Sequence, residues 1–216
     1  MVSTTTLLID PRAVDPAVIA RAVACLLDDG LVAFPTETVY GLGARADHPS
    51  ALARLVAAKG RAPEKPCAVL VADAAAAWSM AAALSPLAER LMQRCWPGPL
   101  TLVVPARDGG TIGLRCPAHP VAQALVRAAG VPIAAPSANR SGAAEPRTAA
   151  DVLAALDGTV ELLLDGGPTR EGRPSTVVRV DGERLDIVRK GAISVQAIMA
   201  YACGDKEPGT RNKTNR

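Results

Sequence analysis

Aromatic side chains are scarce: Phe34, Tyr40, Trp78, Trp96 and Tyr201 are the only five among 216 residues. A platform that stacks single-stranded nucleic acid needs several, which weighs against that class of protein. Excess charge is equally thin. The formal net charge is +3, and residues 205–216 hold four basic and two acidic groups, so 3 − 2 leaves +1 for everything else. Such a body has no bulk attraction for nucleic acid, and any cation that matters must be placed. The five cysteines (25, 67, 95, 116 and 203) form no C-x-x-C pair, which reads as a reduced, intracellular pattern. His48 and His119 are the only histidines. Cys116-x-x-His119 lacks further ligands nearby, so no protein-held metal is expected. A Cys–His nucleophile lacks an orienting partner, and no carboxylate pair suggests glycoside chemistry. Neither the dinucleotide fingerprint nor G-x-x-x-x-G-K-[ST] occurs. Residues 67–84 form the most apolar window, but Asp73 interrupts it and alanine dominates it. The first ten residues carry no basic lead and no signal-like apolar core, so the expectation is a cytoplasmic protein with no membrane contact.

What is present is alternation. Apolar residues make up 49% of the chain, 42 of them alanine, in short runs between amphipathic stretches. Asp15-Pro16 predicts a helix start, and Gly30 its end. A strand is expected at 31–34, then a helix capped by Ser50 that buries Leu52, Leu55 and Val56. Further strands are expected at 67–71, 100–104, 131–135, 161–164, 175–180 and 185–188. An alanine-rich helix should follow Asp73. Others are expected at about 85–93, 119–129, 148–156 and 194–201, with Ser85, Thr148 and Ser194 as starts. Strands interleaved with helices imply an α/β sheet domain, with no internal repeat or interdomain linker. Residues 204–216 have no apolar anchor and are expected to be a disordered polar tail.

Several loops are too polar to be mere connections. Residues 35–43, PTETVYGLG, offer hydroxyls, a carboxylate and a phenol, then two glycines suited to a sharp turn or close backbone approach. A hairpin with incidental polar residues is the equal alternative. Lys59, Arg61 and Lys65 fall within seven residues at a helix end, where dipole compensation competes with phosphate binding. Residues 136–142, PSANRSG, follow a strand and would put small polar groups at the sheet's carboxyl edge, unless they only satisfy their own turn. Arg115 and Arg189 each end an apolar run, where a carboxylate or phosphate clamp is more expected than a structural arginine. Hydroxyls and guanidiniums without a nucleophile–base set suggest catalysis by positioning and charge neutralisation, as in phosphoryl and nucleotidyl transfer.

FPTETVYGLGA, AAKGRAPEKP, CWPGPLTLVV, TIGLRCPAHP, PIAAPSANRSG, PSTVVRV and IVRKGAIS occur in this order. Together they resemble the YrdC-like family, whose best-known members are threonylcarbamoyl-AMP synthases, over roughly residues 7–200. The resemblance implies a twisted, open mixed sheet with helices on its convex side and a deep basic cavity. It implies a catalytic domain at 1–203 of the short bacterial form. It also implies the reaction: threonine takes up bicarbonate or CO2, and the resulting carboxylate attacks the α-phosphate of ATP, releasing pyrophosphate. Magnesium would enter on the ATP phosphates. A tRNA threonylcarbamoyl-transferase machinery would then consume the adenylate at adenosine 37, with weak direct tRNA binding as a further expectation.

The same resemblance assigns roles. Lys59 and Arg61, with Ser137 and Asn139, would form the catalytic group around the phosphates, and Lys65, Thr111 and Arg189 would complete the ATP site. Thr38, Arg115, Ala135 and Ser175 would hold threonine. Leu70 stands where many relatives have histidine, and Glu145 where many have a small polar residue. A carboxylate beside ATP is unfavourable unless paired, with Arg147 the candidate partner, so Glu145 is kept outside the expected site. Two other readings stay open: a non-catalytic RNA- or ribosome-binding relative, and a carbamoyl-transfer domain with a different acceptor.

Overall fold

The structure is a computed structural model and describes residues 3–204. The chain runs β1 (Thr5–Leu8), α1 (Pro16–Leu27), β2 (Val32–Phe34), β3 (Gly41–Arg45), α2 (Pro49–Lys59), β4 (Ala68–Leu70), α3 (Ala74–Met80) and α4 (Pro86–Cys95). It continues β5 (Leu100–Pro105), β6 (Thr111–Arg115), α5 (Pro120–Ala129), β7 (Ile133–Ala134), α6 (Ala149–Leu156), β8 (Leu162–Asp165), β9 (Thr176–Asp181), β10 (Arg184–Arg189) and α7 (Val195–Cys203). The strands form one sheet of ten, in the order β1-β8-β2-β3-β7-β4-β6-β5-β9-β10. Parallel pairs such as β1/β8 and β5/β9 alternate with antiparallel ones such as β2/β3 and β5/β6, so the sheet is mixed. Of the expected tail at 204–216, Gly204 caps α7 in the left-handed conformation, and residues 205–216 lie outside the described residues. No helix of the described residues is long and apolar enough to cross a membrane.

Most helix ends follow the local chemistry. Asp15, Ser85 and Ser194 each accept a backbone N–H one turn in, and Thr148 with Asp151 forms a reciprocal capping box. One start and one end differ from expectation. His48, not Ser50, precedes α2; the Ser50 hydroxyl donates to Asp29 instead. His119 caps α5 by accepting from the Val121 amide at 3.3 Å, which gives that ring a structural task. α1 stops at Leu27, with Asp29 itself left-handed at φ 57. Gly30 is needed for proximity: a Cβ there would lie 2.5 Å from Cys25 Sγ.

Strand register sorts the side chains between two faces. Val69 pairs with Leu114 and Ala134, and Leu102 with Leu114 and Val178. Paired residues point to one side of the sheet. That side is covered by α2 and α6 at one end and by α3, α4 and α7 at the other. The opposite side carries Phe34, Leu70, Ile133 and Leu164, packed under α1 and α5. Five of the seven helices of the described residues thus share one face. α1 and α5 cover half of the other, and the rest of that face is open to a cavity.

Candidate active site

The cavity has a volume of about 620 Å³. Its floor comes from strand alternation: Thr101 pairs with Val177, Val103 with Gly113 and Arg179, and Ala68 with Gly113, all on the cavity side. Arg115, two residues beyond Gly113, projects the same way. A register shift between Ile187 and Arg189 sets Arg189 opposite Val177, which turns it toward the cavity. Six cations line the walls (Lys59, Arg61, Lys65, Arg115, Arg179 and Arg189), with a single carboxylate, Glu145.

At the last turn of α2, Lys59 is only 5% exposed. Its Nζ donates to the Ser137 carbonyl, to Asn139 O at 2.7 Å and to Asn139 Oδ1 at 3.3 Å. Burial, then the nearby Arg61 guanidinium, pulls its ammonium down to about 8. Gly60 ends the helix in the left-handed conformation at φ 57 and turns the chain into the loop that carries Arg61. Arg61 braces that loop, donating to Lys65 O at 2.6 Å, Pro66 O at 3.1 Å and Cys67 Sγ at 3.1 Å. Its Nε is buried without a hydrogen-bond partner. Facing it, the Ser137 hydroxyl donates to Asn139 Oδ1 at 2.6 Å, and Asn139 Nδ2 donates to Ala143 O at 2.8 Å. The loop following β7 is thereby held around the Lys59 ammonium.

A second cluster holds Arg115. Residues 35–40 between β2 and β3 are buried throughout. Arg115 Nη2 donates to Glu37 Oε1 and to Thr38 Oγ1, both at 2.8 Å. Glu37 Oε2 accepts from the Ala118 amide at 3.0 Å. Arg115 Nε is buried with no partner. A guanidinium held on one nitrogen and unsatisfied on another is poised for an anionic ligand. Beside it, Ser175 Oγ lies 2.8 Å from Thr101 Oγ1, while the Ser175 carbonyl accepts from Arg189 Nε at 3.1 Å and Nη2 at 2.9 Å. Burial lowers the Arg189 guanidinium from its ordinary value, and it remains charged.

Of the residues expected from sequence, Lys59, Arg61, Lys65, Thr111, Arg115, Ala135, Ser137, Asn139, Ser175 and Arg189 all line this one cavity. Thr38 does not. It is 0% exposed, and its hydroxyl accepts from Arg115 and lies 2.8 Å from Thr36 Oγ1. Glu37, Arg179 and Glu145 were missed. Arg179 could have been found by counting twos from Ser175 and Val177 along one strand. Glu145 corrects its exclusion: it forms part of the wall, and Arg147 is turned to the Gly172 carbonyl at 3.1 Å. Of the two glycines after the polar loop, Gly43 serves packing, since a Cβ there would meet Phe34 Cε1 at 2.9 Å, whereas one on Gly41 would find ordinary contacts from 3.5 Å outward. Leu70 is buried among apolar groups on the α1/α5 side. Among the described residues, no group of three or more His, Cys, Asp or Glu could hold a metal.

A mixed α/β sheet with a cation- and hydroxyl-lined cavity on one face defines a small-molecule site for anionic ligands of nucleotide size. The Sua5/YciO/YrdC family model, described as "Telomere recombination", matches residues 24–191. The chain belongs to this family. It is 41% identical over 192 residues to the threonylcarbamoyl-AMP synthase of Bacillus subtilis (strain 168), covering 84% of this chain and 56% of that protein. A Chromohalobacter salexigens protein of the same name is 39% identical over 170 residues, covering 74% and 90% of the respective chains. Pyrococcus abyssi Sua5 complexed with L-threonine superposes with a TM-score of 0.84 at 34% identity, covering 96% of this chain and 62% of that one. The chain spans little more than half the length of the B. subtilis and P. abyssi synthases, 56% and 55%.

Proposed function

We propose that this protein makes L-threonylcarbamoyl-adenylate from L-threonine, bicarbonate or CO2, and ATP, releasing pyrophosphate. One observation carries the reading. A partly unsatisfied arginine beside paired hydroxyls, and a lysine–arginine pair beside a Ser-x-Asn loop, open into the same cavity. The first suits an amino acid's carboxylate and the second a polyphosphate. A relative described with L-threonine bound supports the first assignment.

The chemistry asks for little beyond placement. The threonine amine adds to CO2 and loses a proton, giving an N-carboxylate. An oxygen of that group attacks the α-phosphorus, and the bond to the β-phosphate's bridging oxygen breaks with its electron pair leaving on pyrophosphate. An anion must approach a polyanion, so fixed cations supply most of the catalysis. Lys59 and Arg61, with Lys65, Thr111 and Arg189, would bind the nucleotide. Ser137 and Asn139 would hold the α-phosphate in line. Arg115, supported by Glu37 and Thr38, would take threonine's carboxylate, with Ala135 and Ser175 completing that niche. Magnesium enters with ATP as part of the substrate and supplies charge neutralisation on the leaving pyrophosphate. The product is a reactive acyl-adenylate suited to a transferase acting on tRNA.

Pyrophosphate release by the purified protein tests this, with threonine, bicarbonate and ATP together and then with each omitted. Release should require all three. Unchanged release without threonine would overturn the assignment.

A further inference from the structure

We propose that Glu145 is a protein ligand, through Oε2, for the divalent cation carried on the nucleotide's phosphates; this rests on reading the cavity as an ATP site. Glu145 is the single acidic residue in a cavity wall that carries six cations, and its Oε2 is buried without a hydrogen-bond donor. The guanidinium nearest in sequence does not serve it, since Arg147 Nε donates to Gly172. Its charge acts on Lys59 and Arg189, both in the same cavity wall, and favours the protonated form of each.

A carboxylate oxygen in that position is doubly awkward. Buried and unpaired, it forgoes solvation that no N–H replaces. With a triphosphate in the cavity it also faces like charge. A divalent cation between carboxylate and phosphate removes both penalties at once. This matches the way magnesium is commonly held, by one or two carboxylates plus phosphate oxygens and water. The alternative is that Glu145 merely balances Lys59 and Arg189. That role predicts a different response: removing a mere counter-charge tightens binding of the free nucleotide and of its magnesium complex alike, whereas removing a metal ligand weakens the magnesium complex.

The test is a thermodynamic linkage measured without turnover. Dissociation constants for α,β-methylene-ATP are determined by calorimetry on the full chain, in magnesium and in EDTA, without threonine or bicarbonate. Wild type, Glu145→Gln and Glu145→Ser are compared, with thermal melts confirming that each is folded. A metal ligand predicts that the ratio of the EDTA to the magnesium constant falls by about tenfold or more in both variants, because binding without metal tightens while binding with metal weakens. If binding in magnesium tightens or stays unchanged in both variants, or both constants shift by the same factor, the proposal is overturned and Glu145 is at most a counter-charge. If wild type binds the analogue under neither condition, the ATP-site reading fails and this inference fails with it.

Discussion

Arg115 can serve an anionic ligand only while its own charge is held in place, and Glu37 does the holding. The two side chains are 10% and 5% exposed and meet at 2.8 Å, and the second carboxylate oxygen is used by the Ala118 amide. Removing one partner of such a pair leaves a buried charge without compensation. Glu37→Ala should therefore cost roughly 3–5 kcal/mol of stability, read from the urea midpoint at unchanged slope. Glu37→Gln should recover part of the loss. Its amide oxygen can accept from Arg115, but its N–H₂ then faces the Ala118 N–H. A loss under about 1 kcal/mol for the alanine variant would mean that the pair is not buried as described. The sequence marked Glu37 as a carboxylate in a polar loop but could not say whether it faced a ligand or another side chain. That depends on a strand 78 residues away.

Two glycines show how strand geometry divides packing from function. A Cβ on Gly43 in β3 would meet Phe34 Cε1 at 2.9 Å and Ile133 Cγ2 at 3.3 Å; one on Gly113 in β6 would find its nearest neighbours at 3.6 Å. Gly113 faces the cavity and Gly43 the core beneath α1 and α5. Gly43→Ala is expected to lose about 1–3 kcal/mol by overpacking. Gly113→Ala should keep its stability within about 0.5 kcal/mol while weakening α,β-methylene-ATP or threonine binding, because the new methyl enters the cavity. Denaturation and calorimetry on both proteins separate these outcomes, and equal destabilisation of the two would refute the assignment of faces. The same logic explains Arg189. Alternation alone would pair Val188 with Val177, and the register shift gives that place to Arg189.

Across the molecule, the cavity couples ligand charge to pH through Lys59. Its ammonium sits near 8 in the folded protein against an ordinary 10.5, because folding removes it from water. Below about pH 8 both folded and unfolded chains hold the proton. Between about 8 and 10.5 the unfolded chain keeps a proton that the folded chain has released, so Lys59's contribution to stability rises with pH across that window. On the proposed nucleotide reading, ligand binding runs the opposite way, since a phosphate beside Lys59 needs the ammonium. Affinity for α,β-methylene-ATP should fall roughly thirtyfold from pH 7 to 9.5, with proton uptake on binding. Lys59→Met should bind more weakly at neutral pH and lose that slope. A wild-type affinity flat across this range would separate Lys59 from the phosphates.

Local chemistry was enough for much of this. Alternating apolar runs, Ser and Thr caps, proline at helix starts and the polar strand ends mark an α/β chain with its functional groups in loops, because propensity and capping act over a few residues. Thr5–Leu8 and Gly41–Arg45 escaped notice as strands, the first mostly exposed and the second lying within a run read as loop. What the order of residues could not fix was the meeting of distant groups. Lys59 with Ser137 and Asn139, Arg115 with Glu37, and the lone carboxylate of Glu145 inside a cationic wall all depend on strand order and register. Those are set by which apolar faces bury one another across the whole sheet. Only once that burial is satisfied do the like charges converge on the one face that α1 and α5 leave uncovered.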